Sequence, residues 1–421
     1  MKIKVFALAA ALVSMCAANA HAITLSLEGI NANLRANSSE ALYASDGSGN
    51  SVLVTSVGAS APSGEAFSEI GVPSMMPDGR VLFGAETASK DRKAHWGIYF
   101  GNPDNPPLDR VRQAVEIKPN ADCAPLLNGD PYPVADAEGT IAFISHLPDK
   151  SDALVLYSGG KMTCLARSGI KTNEGHEIAL LSFGSPQMGD TGEVIFNAWL
   201  EGGTSNEPSP HRQALLMASQ ARGIRELAVE GDVGPNNTRY QRPFGLPSAV
   251  SSPHGTLAAF TARTPTGAAL FLYGNGAMSR ILPTGVVTPL GPVSYLSPGR
   301  PGLMADGTTA VLAGCARIPA IFKLSRERLD VTMQRGQVTP FGTELESLGD
   351  PVLTGSGAMF IGATDSEEHE KLYVLEGDGG FHEVGMPEII YRIATSSHRH
   401  SIFTGTLAVN QHGDFAYLGG R

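Results

Sequence analysis

The chain has 421 residues, of which 42% are hydrophobic and 17% are charged, and its formal net charge is −10. So few charges exclude a coiled coil and a charge-driven disordered polymer, and the acidic balance argues against nucleic acid as a partner. The hydrophobic content is sufficient for a large core, so we expect the chain to fold.

The first 22 residues have the pattern of a secretory signal peptide. Lys2 and Lys4 precede an apolar run from Val5 to Met15, and Ala20-His21-Ala22 places small residues at the −3 and −1 positions of a cleavage site. Cleavage after Ala22 leaves residues 23–421 with a formal charge of −12. No later apolar stretch reaches about 20 residues, so we expect a soluble periplasmic or secreted protein without an integral membrane segment.

Three cysteines remain in the mature chain: Cys123, Cys164 and Cys315. An exported protein with so few cysteines does not depend on a disulfide framework. Cys123 and Cys164 could pair, or all three could be buried thiols that act as small apolar side chains. The sequence leaves both interpretations open.

A short pattern recurs seven times, with a turn containing Gly, a β-rich run to a large apolar residue, and a small residue two places later. The runs are Gly79–Phe83, Gly139–Phe143, Gly192–Phe196, Gly255–Phe260, Gly307–Val311, Gly357–Phe360 and Gly413–Tyr417. The small residues are Ala85, Ser145, Ala198, Ala262, Ala313, Gly362 and Gly419. Because side chains alternate along a strand, the apolar and small residues point the same way, and the small one lets neighbouring sheets approach closely.

A second glycine follows an outer apolar strand in five repeats, at Gly169, Gly231, Gly285, Gly336 and Gly385. The third repeat is longer, and its insertion around Glu201 to Arg212 indicates an enlarged loop. The first glycines are spaced about 56 residues apart on average, which is the length of a four-stranded propeller blade.

We therefore predict an all-β fold, a single seven-bladed β-propeller domain formed by residues 23–421. Residues 42–58 resemble the outer half of a repeat without its inner half, and Leu407 to Gly420 supplies an inner hairpin without an outer half. The two ends together complete one blade. This shared blade closes the ring and removes the exposed edges of an open array of sheets.

Two repeats resemble those of a family of bacterial exported proteins with tandem N-x-x-G-x-x-A-F repeats and varied C-terminal anchors. The best matches run from Asn410 to Tyr417 and from Asp136 to Phe143. The first departs from the family pattern by ending in Tyr and the second by starting with Asp, and no anchor follows Arg421. The resemblance implies a repeat architecture and export, and it implies no activity.

The sequence contains no common catalytic motif. The serine-hydrolase string G-x-S-x-G, the zinc string H-E-x-x-H, a P-loop, C-x-x-C and a dinucleotide-binding fingerprint are all missing, and we predict no cofactor. Function must then be inferred from position. In a propeller, the loop after the second strand and the loop entering the next blade lie on one face, where ligands usually bind.

Three places after the large apolar residue, four successive blades carry different side chains: Glu86, His146, Trp199 and Arg263. We interpret these four residues as a ligand-binding surface on one rim, although ordinary solvated positions at strand ends would also be polar. Cys315 and Arg317 lie near the equivalent position of the fifth blade. The segment from His398 to His400 could hold a metal or could be solvated, and we predict no metal site.

The predicted function is an exported binding or protein-interaction module with an unknown protein or glycan ligand. The alternative is a propeller enzyme, a hydrolase or lyase acting on an exported glycan, because sites assembled from several loops leave no sequence motif. A histidine and a carboxylate within hydrogen-bonding reach inside a deep pocket would favour the enzyme.

Overall fold

The computed structural model describes residues 40–46, 49–88, 94–115, 123, 130–182, 186–189, 192–202, 211–326, 328–366, 369–384 and 407–420. These residues form an all-β ring of seven sheets, which confirms the predicted fold. Within these ranges, no helix has the length and apolar character needed to span a membrane.

The strands follow one another blade by blade. The first two are β1 (Glu40–Ser45) and β2 (Ser51–Ser56). Blade 1 contains β3 (Ala66–Ile70), β4 (Ser74–Met75), β5 (Val81–Ala88), β6 (Ala94–Gly101) and β7 (Val111–Gln113), with a 3₁₀ helix at Pro107–Asp109. Blade 2 contains β8 (Val134–Ala135), β9 (Ile141–His146), β10 (Asp152–Ser158) and β11 (Lys161–Arg167). Blade 3 contains β12 (Ile178–Leu181), β13 (Gln187–Met188), β14 (Val194–Glu201) and β15 (His211–Ser219), with β16 (Gly223–Val229) as its outer strand.

The second half of the ring repeats this order. A small hairpin of β17 (Val233–Gly234) and β18 (Thr238–Arg239) encloses a 3₁₀ turn at Pro235–Asn237 and precedes blade 4. Blade 4 contains β19 (Gln241–Phe244), β20 (Ser248–Ser252), β21 (Gly255–Thr264), β22 (Gly267–Gly274) and β23 (Ala277–Pro283). Blade 5 follows β24 (Val287–Thr288) and contains β25 (Gly291–Leu296), β26 (Gly302–Leu303), β27 (Thr309–Cys315), β28 (Ile318–Ser325) and β29 (Arg328–Gln334). Blade 6 contains β30 (Leu345–Leu348), β31 (Val352–Leu353), β32 (Met359–Asp365), β33 (Glu370–Leu375) and β34 (Phe381–Val384), and the chain ends with β35 (Ala408–Val409) and β36 (Phe415–Gly420).

Each blade is an antiparallel sheet whose inner strand is short or interrupted. In blade 1, for example, β3 and β4 pair with opposite ends of β5. The short inner segments contact one another in a closed series, from β4 through β8, β13, β20, β26, β31 and β35 back to β4. This circular series of contacts defines a seven-bladed propeller with these segments nearest its axis.

The first glycine of every repeat lies in the turn between the inner and second strands. All seven adopt a positive φ, namely Gly79, Gly139, Gly192, Gly255, Gly307, Gly357 and Gly413. Only glycine adopts this backbone conformation without strain, so the recurrence of the residue has a direct physical cause. We call the face that carries these turns the lower face, and the opposite face the upper face.

The hydrophobic core is divided into layers between adjacent blades. One layer joins blades 2 and 3 and includes Leu154, Ala198 and Leu216, all fully buried. Comparable layers occupy the other six interfaces of the ring. The predicted small residues are buried at Ala85, Ser145, Ala198, Ala262 and Ala313, so the column does face neighbouring sheets.

The sixth repeat departs from its predicted register by one residue. In blades 1, 3, 4 and 5, the last residue of the longer inner strand pairs with the small residue of the repeat, as Leu181 pairs with Ala198. In blade 6, Leu348 pairs with Ala363 and not with the predicted Gly362. Ile361, four residues after Gly357, therefore takes the place predicted for Phe360. Three consecutive apolar residues, Met359 to Ile361, conceal the alternation at this point.

The two ends of the chain share the seventh blade, as predicted, in the strand order β2-β1-β36-β35. Tyr43 pairs with Tyr417 in register, and their rings stack with centroids 5.5 Å apart. The hydroxyls of Ser51 and Tyr417 lie 2.8 Å apart. The Asn410 side chain donates to the carbonyl of Met76 in blade 1 at 2.9 Å, which links the closing blade to its neighbour.

The connections between blades form small hairpins that return to the outer edge of the ring. In the connection to blade 3, the Asn173 N–H donates to the carbonyl of Ile224 at 2.7 Å, on the outer strand of that blade. In the connection to blade 6, the Phe341 ring lies 6.0 Å from that of Phe381, also on an outer strand. Because blades diverge with distance from the axis, these hairpins fill the gaps that would otherwise open between outer strands.

Cys123 and Cys164 form a disulfide with their Cα atoms 5.7 Å apart, which resolves the alternatives left open by the sequence. The bond ties the segment that enters blade 2 to the outer strand of that blade. Cys315 is a free, buried thiol.

Candidate functional site

The structure places the four predicted residues at equivalent positions on the upper face. Each follows a buried small residue at the end of a second strand, and their partners on the third strands are Trp96, Asp152, Gln213 and Ala268. Because side chains alternate, each of the four points toward the next blade. They therefore lie in four separate crevices of one rim, not in a common pocket.

Glu86, in blade 1, contacts the inner strand of its own sheet. The Ser68 hydroxyl donates to Glu86 Oε2 at 2.8 Å, and Glu69 pairs with Glu86 across the strands. This part of the rim presents two carboxylates.

His146, in blade 2, is held by the first residue of the third strand. Its Nδ1 lies 2.6 Å from Oδ1 of Asp152, whose side chain is 8% exposed. Asp152 Oδ2 also accepts from the Leu181 N–H of blade 3 at 3.4 Å. The histidine is thus oriented by a carboxylate buried at the interface between blades.

Trp199, in blade 3, belongs to a group of contacts that joins blades 3 and 4. It pairs across the strands with Leu180, which is 49% exposed although apolar. The Arg242 guanidinium of blade 4 lies over the indole at 5.8 Å from the ring centroid, within the range of a cation–π contact. The buried Glu230 fixes this arginine, since Arg242 Nε donates to Glu230 Oε1 at 2.8 Å.

Glu230 also joins this group to the adjacent strand. The Gln213 N–H donates to Glu230 Oε2 at 3.1 Å, and Gln213 Oε1 accepts from the Phe244 N–H of blade 4 at 2.9 Å. We call Leu180, Trp199, Gln213, Glu230 and Arg242 the Trp199 cluster. It combines an exposed apolar surface with polar groups whose positions are fixed by hydrogen bonds.

Arg263, in blade 4, is exposed, and its side chain has no hydrogen-bond or ionic partner among the residues that the structure describes. At the equivalent position of blade 5 stands Gly314, and a Cβ there would meet the Tyr295 ring at 2.1 Å. Tyr295 is 43% exposed, and partial burial with the nearby Asp350 raises the pKa of its hydroxyl. The rim predicted from the sequence therefore extends beyond Arg263 to blade 5, where the exposed side chain is Tyr295.

Nearer the axis, Asp350 of blade 6 accepts from the Ser297 hydroxyl at 3.1 Å and from the Arg300 N–H at 3.2 Å. Burial raises the pKa of Asp350, although its hydrogen bonds and Arg300 oppose the shift. Burial likewise lowers the pKa of Arg300 to about 10. Burial therefore shifts the pKa of both groups near the axis. The hydrogen bonds that Asp350 accepts join blades 5 and 6.

Other histidines on the upper face also lie beside carboxylates. His211 Nδ1 is 3.3 Å from Glu201, and His369 Nδ1 is 3.4 Å from Asp365. Among the described residues, no group of three or more His, Cys, Asp or Glu side chains is arranged to hold a metal. His398 and His400 lie outside the described residues, as does most of the enlarged third-blade loop.

A concavity also lies on the lower face, where the sequence predicted no site. It is a groove of about 700 Å³ formed by turns of blades 2, 3 and 4. A smaller cavity of about 250 Å³ lies between the outer strands of blades 3 and 4. Neither is lined by the four predicted residues, so the histidine–carboxylate pair at His146 is not placed in either cavity.

A family model matches residues 118–420 and is described as a family of unknown function, DUF7453. The match covers well over half of the chain, which therefore belongs to this family. No curated protein sequence matches the chain.

Several solved propeller structures are similar at low identity. A puromycin-hydrolysing peptidase of Mycobacterium tuberculosis is 12% identical over 81% of this chain and 48% of its own, with a TM-score of 0.47. The β-propeller domain of the Trilobed protease from Pyrococcus furiosus is 9% identical over 76% of this chain and 83% of its own, with a TM-score of 0.44. A TolB-like protein of Agrobacterium tumefaciens is 10% identical over 91% of this chain and 98% of its own, with a TM-score of 0.38. The chain thus spans about half the length of the peptidase.

Proposed function

We propose that this protein is an exported binding module whose ligand, a protein or a glycan, contacts the upper rim with the Trp199 cluster at its centre. The observation that carries this proposal is the exposure of Leu180 beside Trp199 on paired strands. Aromatic and arginine side chains are enriched in contact surfaces, and here Trp199 and Arg242 lie beside this exposed apolar side chain. Glu86, His146 and Arg263 extend the proposed surface to neighbouring crevices.

The hydrogen bonds around Glu230 suit the Trp199 cluster to recognition. They hold Arg242 over one face of the indole before any ligand arrives. A preorganised arginine and aromatic ring lose little conformational freedom on binding, so more of the interaction energy appears as affinity.

Export is supported by three features. The N-terminal sequence has the charge, apolar run and cleavage residues of a signal peptide. The disulfide between Cys123 and Cys164 is of a kind that persists in oxidising compartments. The resemblance to exported N-x-x-G-x-x-A-F repeat proteins points in the same direction. Mature protein beginning at Ile23, measured as an intact mass, is the expected result.

An enzyme that acts on an exported glycan is the second candidate, and the pair of His146 and Asp152 favours it. At 2.6 Å, the buried Asp152 carboxylate fixes the orientation of the His146 ring, as a general base requires. Hydrolysis of exported polysaccharides that is lost in His146→Gln, with unchanged thermal stability, would support the enzyme over the binding module.

The test of the binding module uses tryptophan fluorescence. The chain has only two tryptophans, so Trp96→Phe leaves Trp199 as the sole reporter. Candidate ligands recovered from periplasm or culture supernatant on immobilised protein are titrated against this variant. We expect a change in Trp199 emission and at least tenfold weaker binding in Trp199→Ala and in Leu180→Ser.

The control is Val287→Ser, which alters a side chain that is 80% exposed in a connection between blades. It should bind like the wild type. Equal affinity of wild type, Trp199→Ala and Leu180→Ser for every recovered ligand, with unchanged melting curves, would contradict a binding surface at the Trp199 cluster.

A further inference from the structure

The groove on the lower face is a separate candidate site from the Trp199 cluster. It crosses the lower ends of three blades, from the turn at Asp136 to Thr140 in blade 2 to the turn at Asn275 in blade 4. Its volume of about 700 Å³ falls within the range of small-ligand sites, roughly 300–1,000 Å³.

The floor of the groove is apolar. Leu156, Met217 and Tyr273, one from the third strand of each of the three blades, line it and are less than 10% exposed. The exposed amide side chains of Gln220 and Asn275 lie along the same groove. An amide group both donates and accepts hydrogen bonds, which is what a peptide backbone requires of its partner.

Three of the charged groups in the groove make internal contacts. Oδ1 of Asp136 accepts from the N–H groups of Glu138 and Thr140, at 3.0 and 2.8 Å. The Glu193 carboxylate lies 3.0 Å from Arg222 Nη1 in an ion pair. These groups line the groove and already have partners within the protein.

Two other charges are left for a ligand. The Arg225 guanidinium, in blade 3, lies 5.9 Å from the centroid of the Tyr273 ring. Among the described residues it has no hydrogen-bond acceptor or ionic partner. Glu138, in blade 2, uses its N–H in the turn, while its exposed carboxylate has no partner in the same part of the chain. The groove therefore has a free cation toward blade 4 and a free anion at blade 2.

We propose that this groove binds a short peptide with free termini, whose C-terminal carboxylate contacts Arg225 and whose amino group contacts Glu138. A planar guanidinium can donate two parallel hydrogen bonds to a carboxylate, and the cation–π contact with Tyr273 favours this position of Arg225. The apolar floor takes small side chains, and Gln220 and Asn275 contact the backbone. A purely anionic ligand would leave the Glu138 carboxylate opposed by a like charge.

Tetra-alanine is the probe, measured by isothermal titration calorimetry on the full mature chain. Three forms are compared: the free peptide, its C-terminal amide and its N-acetyl derivative. For the wild type we expect the amide to bind at least tenfold more weakly than the free peptide, and the acetylated peptide at least threefold more weakly, because Glu138 is more exposed and its charge is better screened.

Variants then assign each terminus to its partner. Arg225→Gln should lower the affinity for the free peptide to that for the amide, so that amidation no longer changes the affinity. Arg225→Lys should recover part of the affinity. In Glu138→Gln, acetylation of the peptide should no longer change the affinity, while amidation should weaken binding as it does in the wild type. The matched control is Arg326→Gln, an exposed arginine at the corresponding turn of blade 5 on the same face but outside the groove.

Trp199→Ala should bind tetra-alanine like the wild type, so failure of the rim proposal and failure of this one are distinguishable. The proposal is overturned if tetra-alanine does not bind at millimolar concentration, or if amidation remains costly in Arg225→Gln. Binding of a tetragalacturonate in its place, abolished by Arg225→Gln and indifferent to Glu138→Gln, would identify the groove as an anionic-sugar site and also overturn it.

Discussion

Closure of the ring by strands from the two ends of the chain predicts a graded loss of stability at Tyr417. This side chain is fully buried, stacks on Tyr43 and contacts the Ser51 hydroxyl at 2.8 Å. Tyr417→Phe removes only the hydroxyl contact and should lower the free energy of unfolding by about 1 kcal/mol. Tyr417→Ala removes the ring and leaves a cavity, which costs about 3–5 kcal/mol in buried sites.

These energies translate into measurable melting temperatures. With an unfolding entropy of about 2.1 cal/mol/K per residue over roughly 400 residues, a loss of about 4 kcal/mol lowers the midpoint by about 5 °C. The phenylalanine variant should shift it by about 1 °C. Deleting residues 407–421 removes the entire inner half of the blade, and we expect no cooperative transition in that protein, because typical stabilities are only about 5–15 kcal/mol.

Differential scanning calorimetry and urea titration of Tyr43→Ala, Tyr417→Ala and the double variant provide the decisive comparison. Residues in contact show non-additive effects, and an aromatic pair contributes about 0.5–1.5 kcal/mol beyond its buried area. Additive losses, or a truncated chain that melts like the full one, would refute closure by these strands.

The layered core and the disulfide give two further predictions. Ala198→Leu inserts a larger side chain into the fully packed layer between blades 2 and 3, and should lower the free energy of unfolding by about 1–3 kcal/mol in denaturant titrations; a neutral result there would mean that the small-residue column is not at the interface. Cys164→Ser opens a bond that spans 41 residues, and the loop-closure relation gives a loss of about 4 kcal/mol. Reductant should reproduce that loss in the wild type and have no effect on the Cys123→Ser/Cys164→Ser double variant, and equal effects on both would contradict it.

Much of the fold was predictable because a turn glycine and a large apolar residue recur in each repeat at similar spacing. The turn glycine and the buried residue four places later, as at Gly79 and Phe83, have separate physical causes, a positive φ and a buried second strand. The sixth repeat was placed wrongly by one residue because Phe360 and Ile361 are both large and apolar. The spacing of four from Gly357 would have selected Ile361.

The connecting hairpins contain a repeated sequence pattern. Two glycines six residues apart enclose a Thr-Pro step at Gly285–Gly291 and again at Gly336–Gly342. Both glycines of each pair adopt a positive φ. That repeat indicates ordered hairpins between blades.

The site was only partly predictable, for a physical reason. The position of Trp199 on the rim follows from topology, since equivalent residues of successive blades are related by rotation. Its contact with Arg242, which Glu230 holds by a hydrogen bond, depends on a side chain from a neighbouring blade and on an irregular inner strand. The lower groove is formed by the turns of three blades together, so the sequence of a single repeat does not predict it.

The shared seventh blade also sets the order in which the molecule can be completed. The Phe415 N–H donates to the Ser45 hydroxyl at 2.9 Å across a separation of 370 residues. At about 5–20 residues per second, roughly 20–70 seconds of synthesis separate the two groups. A ribbon of two strands is barely stable alone, so β1 and β2 must wait for a partner throughout that time. The ring can therefore close only after β36 has been synthesised, because β1 has no other inner strand to pair with in the seventh blade.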